Sequence, residues 1–117
     1  MNQESILTSI KKLLGISEDC TDFDTDIIIH INTTFTVLNQ LGIGPLEGFR
    51  IKDKNDKWDD YITEEDDLEA VKTYIYLKVK LVFDPPLNAA TLENVQNSIK
   101  ELEWRLCVKA EKETEEV

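Results

Sequence analysis

Long apolar stretches are missing from this sequence. A helix that crosses a bilayer needs ~20 predominantly apolar residues in a row. Here the triplet Ile27-Ile28-Ile29 gives way to His30 and then Asn32. The opening residues, Met1 to Ser5, are polar and hold Glu4 where a secretion signal needs basic residues. The chain is therefore expected to stay in the cytosol where it is made, with no membrane partner. Histidine occurs once, at His30, and cysteine twice, at Cys20 and Cys107, in no CxxC pair. One His without neighbouring Cys cannot build a tetrahedral zinc site from a single chain. Two distant thiols in a chain with ample core residues read as free cysteines of a reducing compartment, each acting as a small apolar side chain. The nucleophile signature GxSxG, the Walker phosphate loop and GxGxxG are all absent. Gly42-Ile43-Gly44, the one tight glycine pair, reads as a helix stop. No catalytic residue, metal or cofactor is expected, and the enzyme class has nothing to support it.

Positive charge is also scarce. Lys and Arg number 13 against 24 Asp and Glu, for a formal net charge of −11. Such a surface repels phosphate backbones and anionic membranes at long range, so tight nucleic-acid binding is not expected. A partner carrying a basic patch is the natural complement, although the charge also serves simply to keep the chain soluble. At 117 residues the chain has room for one domain with one core, burying roughly two-thirds of the surface its unfolded form exposes.

What the sequence does have is helical periodicity. Ile6, Leu7, Ile10, Leu13 and Leu14 mark a first helix over Ser5–Leu14, with Gly15 placed to end it. After a polar linker, Ile27, Ile28, Ile31, Phe35, Leu38 and Leu41 draw one stripe along a second helix over Thr25–Leu41, capped by Asp22 or Asp24. Its Ile and Thr content invites a strand, but the length and the lack of strict alternation oppose that. Phe49 to Ile62 changes character: alternation at Phe49–Lys52, turn formers over Asp53–Asp56, then Trp58. A short β-hairpin or an extended loop is predicted there, anchored by Phe49, Trp58 and Tyr61 on helices or on another chain. A third helix opens at Thr63 with acids in its first turn, presents Leu68, Val71, Ile75, Val79 and Val82 on one face, and is widened by Tyr74, Leu77 and Leu81. It is predicted to be the central one and stops at Asp84-Pro85-Pro86. A fourth helix, Thr91–Ala110, carries Leu92, Val95, Ile99, Leu102 and Leu106 at 3-4-3-4 spacing, with Glu101 and Arg105 oriented as a favourable helical pair. The fold class is thus mainly α: a compact four-helix domain over residues 1–108 with the β excursion between helices 2 and 3, followed by an acidic, flexible tail over 109–117.

Two features invite a site. The Asp-rich stretch Asp53 to Asp60 places Asp53, Asn55 and Glu64 at the first, third and twelfth positions of an EF-hand loop. Lys57 and Trp58 occupy the fifth and sixth, where an oxygen ligand and a glycine are needed, so a solvated turn is the reading kept. Trp104 and Arg105 lie off the seam of the fourth helix and belong to the residue types most enriched at protein-binding hot spots. The competing role for Trp104 is packing on the third helix or the hairpin.

The stretch Leu38-Asn39-Gln40-Leu41-Gly42-Ile43-Gly44-Pro45, with Gly48-Phe49 and Trp58 after it, resembles the head–tail connector proteins of long-tailed phages and prophages. Leu77 to Pro86 and Ile99 to Leu106 are similar to that family as well. The resemblance runs from the first helix to about Leu106. It implies a compact helical adaptor without enzymatic activity, assembling as a ring between portal and tail around the DNA channel. The implied partners are the portal protein and a neighbouring tail or head-completion protein. The implied location is the bacterial host cytoplasm during assembly and then the virion head–tail junction. Terminal segments of such adaptors order on binding the portal, which adds Lys109, Glu111, Lys112 and Glu113 to the candidate interaction residues Phe49, Trp58, Tyr61, Trp104 and Arg105. The alternative is an acidic binding module or regulator that occupies a basic site on a host protein.

Overall fold

The computed structural model describes residues 4–61 and 65–115, with side chains at all of these except 65–67 and 111–115. They form α1 (Ile6–Leu14), α2 (Asp24–Gln40), α3 (Trp58–Tyr61), α4 (Glu65–Phe83) and α5 (Ala89–Glu115). The molecule is mainly helical, as the periodicity predicts.

Each long helix can be traced to its local chemistry. Ser5 caps α1, its hydroxyl accepting from the Thr8 amide at 3.2 Å. Gly15 closes α1 in the left-handed conformation, φ +82°, while the Ile16 amide reaches back to the Lys11 carbonyl at 2.8 Å. α2 is the helix that its length and apolar stripe predict, and its threonines are accommodated within it. Thr33, Thr34 and Thr36 each donate a hydroxyl to the carbonyl four residues back, spending their polar groups inside the helix. Ile27, Ile31, Phe35 and Leu38 are buried along one stripe. Asn88 caps α5, its side-chain oxygen accepting from the Ala90 and Thr91 amides at 2.8 and 3.1 Å. α5 therefore starts two residues before the predicted Thr91, and it continues past Ala110 to Glu115.

One expectation about caps needs correction, and of the two readings for the stretch after α2 the chain adopts the loop. Neither Asp22 nor Asp24 caps α2: the capping position falls on Phe23, whose side chain makes no cap hydrogen bond. Lys11 organises this end instead. Its side chain, 3% exposed, lies 2.8 Å from Asp24 Oδ1 and donates to the carbonyls of Glu18 (3.2 Å) and Cys20 (2.7 Å). The cap expected at Thr63 lies outside the described residues. Between α2 and α3 the chain forms a loop and no hairpin; among the described residues the β pairing is one isolated antiparallel bridge, Ser5 with Lys57. The physical reason is a side chain that substitutes for a partner strand. Asn32 on α2 donates to the Ile51 carbonyl at 3.0 Å and accepts from the Ile51 amide at 2.8 Å.

α4 is the centre, packing on α1, α2 and α5. Leu68, Val71, Tyr74, Ile75 and Val79 are buried on it. α5 packs chiefly on α4 alone, with Ile99 and Leu106 as its buried contacts. α3, a single turn the periodicity does not announce, exists because Trp58 and Tyr61 both point inward.

Candidate functional site

The nine residues singled out from sequence separate into two groups. The aromatic trio faces the interior. Trp58 is fully buried, and its indole N–H donates to Ser9 Oγ at 3.1 Å. The Lys72 ammonium sits 5.4 Å from its ring centroid. Tyr61 is buried and Phe49 half-buried. Both stack on Phe35 of α2, with centroid separations of 4.6 and 5.0 Å, and on each other at 5.2 Å. These rings hold the 41–57 loop to the helices. Edge-to-face and tilted arrangements of this kind add about 0.5–1.5 kcal/mol per pair beyond the area they bury.

The second group lies along α5. Trp104 is 67% exposed, so it does not pack on the central helix or on the loop. Arg105 Nη2 pairs with Glu101 Oε1 at 2.7 Å, both on the surface. Lys109 is exposed as well, and the backbone of Glu111, Lys112 and Glu113 continues the helix, their side chains lying outside those described. Val108 stands one turn beyond Trp104 and is also exposed. Val108 sits off the 3-4 seam and so escapes the apolar periodicity; a valine four residues after an off-seam tryptophan is the signal that could have found it. One face of α5 thus presents a large indole and a valine flanked by a preformed ion pair.

The Asp-rich loop spends its carboxylates on its own backbone. Asp56 Oδ2 accepts from the Lys52 amide, with a 2.6 Å separation, and from the Asp53 amide at 3.3 Å, while Asp53 Oδ1 accepts from the Asn55 amide at 2.8 Å. These are turn-forming contacts. Among the described residues no group of three His, Cys, Asp or Glu side chains is placed to hold a metal ion, and no helix is long and apolar enough to cross a membrane. The hollows in the surface are open. One of about 410 Å³ lies between α2 and the loop, lined by Phe35, Thr36, Asn39, Gly48, Phe49 and Arg50. A stacked helical body with exposed anchor residues on its outermost helix suits assembly.

The model of a protein family, described as phage connector protein, matches residues 6–113. The chain belongs to the phage connector family. The match begins at the first residue of α1 and extends through nearly all of α5. No curated protein and no solved structure matches the chain. Membership in the connector family gives the protein a structural role in the phage particle.

Proposed function

We propose that this connector-family chain is a non-enzymatic subunit of a head–tail connector, assembling as a ring between the portal and the tail around the DNA channel. What carries the reading beyond the family match is the outer face of α5, where Trp104 and Val108 are exposed beside the Glu101–Arg105 pair. Trp and Arg are among the residue types most enriched at interface hot spots. In this reading Trp104, Arg105, Lys109, Glu111, Lys112 and Glu113 meet the portal or a neighbouring tail or head-completion protein. The body over 1–108 then acts as the adaptor, and the last turns of α5, helical to Glu115 where a flexible tail was expected from the sequence, carry charged residues to the partner. Phe49, Trp58 and Tyr61 contribute by holding the loop in shape. The subunit assembles in the host cytoplasm and ends at the virion head–tail junction. A net charge of −11 suits a channel that must let DNA slide without gripping phosphate.

The test is to mix the purified protein with the portal encoded beside it and image the product by electron microscopy. A ring of extra density under the portal, lost in Trp104→Ala, is the expected result. A protein that stays unassociated with the portal overturns the reading and leaves the acidic regulator of a host protein as the reading to pursue.

A further inference from the structure

The apolar stripe of α4 overruns its cover. Leu68, Val71, Ile75 and Val79 are buried in turn, yet Val82, next on the same stripe, is 63% exposed. One residue later Phe83 meets Phe23 at the start of α2, edge to face with centroids 5.4 Å apart, and Phe23 itself is 44% exposed. Leu87, in the connection to α5, is fully exposed. This end of the molecule therefore shows solvent an aromatic pair and the end of the core stripe.

Its charge has one sign. Asp22 and Asp84 are exposed immediately beside Phe23 and Phe83 in the chain, Asp26 is exposed three residues after Phe23, and Glu93 is exposed on the first turns of α5. Neither residues 13–29 nor residues 81–99 contain a Lys or an Arg. The nearby cations answer only part of this: Lys80 lies 3.7 Å from Asp84, and Lys11 is buried against Asp24.

We propose that this end, built from Phe23, Val82, Phe83 and Leu87 and rimmed by Asp22, Asp26 and Asp84, docks a segment of another protein that carries apolar residues flanked by Lys or Arg. Charge complementarity selects that occupant. A second copy of the same face would bring acids against acids, and a nucleic acid would bring phosphates. The surface is separate from the α5 face around Trp104 and does not depend on the connector reading.

Photo-cross-linking tests it. The full chain, with p-benzoylphenylalanine at position 87 in place of leucine, is expressed in cells together with the head and tail genes that neighbour its own. A second version carries the cross-linker at Lys12, an exposed position on α1. The expected result is a cross-link from position 87, absent from position 12, that maps to a peptide of a different protein with apolar residues between Lys or Arg. The triple change Asp22→Lys, Asp26→Lys and Asp84→Lys should lower its yield by about tenfold, the combined scale of three exposed charge pairs, while the melting temperature falls only modestly, since Asp26 sits in the first turn of α2 and Asp84 pairs with Lys80. No cross-link, a cross-link to a second copy, a mapped peptide without basic residues, or an undiminished yield in the triple variant each overturns the proposal. If the captured peptide comes from a host protein, the surface still stands, and the connector reading is decided separately by imaging with the portal.

Discussion

At the scale of single residues, backbone freedom at two glycines separates strain from crowding. Gly15 and Gly44 have nearly the same left-handed φ, +82° and +87°. A Cβ built on Gly15 meets nothing within 4 Å, whereas one on Gly44 falls 2.7 Å from Tyr61 Cε1 and 2.9 Å from Cζ. Gly15→Ala should cost about 1–2 kcal/mol, the left-handed penalty alone. Gly44→Ala adds displacement of a packed ring and should cost about 1–3 kcal/mol more, as overpacked cores do. Urea unfolding of the two variants measures the difference; equal losses would show that the Tyr61 ring yields freely. Tyr74 offers a second test. Burial of the phenol is the main reason its pKa lies well above the usual tyrosine range, and the hydrogen bond it donates to Glu103 Oε2 at 2.8 Å, with that carboxylate's charge, adds to it. A raised folded-state pKa contributes stability that is complete below the unfolded value, near 10, and is lost as pH rises above it. The urea midpoint should therefore fall between about pH 9.5 and 11, and Tyr74→Phe should flatten that fall.

At the scale of elements, the start of α2 depends on a residue of α1. Lys11 holds two loop carbonyls and Asp24 from a position 3% exposed, fixing the loop that leads into α2. Lys11→Met keeps the aliphatic stem and removes the charge, leaving those acceptors without it. The expected loss is about 1.5–3 kcal/mol, the range for hydrogen bonds to charged groups, read from chemical denaturation. A loss below about 0.5 kcal/mol would mean that water replaces the ammonium there. This contact also marks where sequence reasoning stops. The long helices were legible because their apolar spacing is local, and α4 was legible as central because its stripe is broad. A lysine at position 11 looks like ordinary helix surface, since nothing nearby in sequence tells it that the 18–24 loop folds over it. The single turn α3 and the Asn32–Ile51 clamp were hidden for the same reason, the latter joining residues nineteen apart. Among the site residues, Trp104 and Arg105 were legible from type and position. The inward placement of Trp58 follows from Ser9, forty-nine residues away.

At the scale of the whole molecule, the packing is uneven. α4 is enclosed by three helices, and α5, the longest at 27 residues, rests chiefly on α4. At 1.5 Å per residue it spans about 40 Å, comparable to the 44 Å longest extent of the molecule. A beam fixed along one side behaves differently from one embedded in a block. Separating α5 from α4 exposes one interface and leaves the packing among α1, α2 and α4 in place, so its opening should require less free energy than global unfolding. Native-state hydrogen exchange should show α5 amides exchanging through a sub-global opening, ahead of those around Val71, Ile75 and Val79. A partner clasping the free side of the beam would close that route, and α5 would then exchange only when the whole body comes apart.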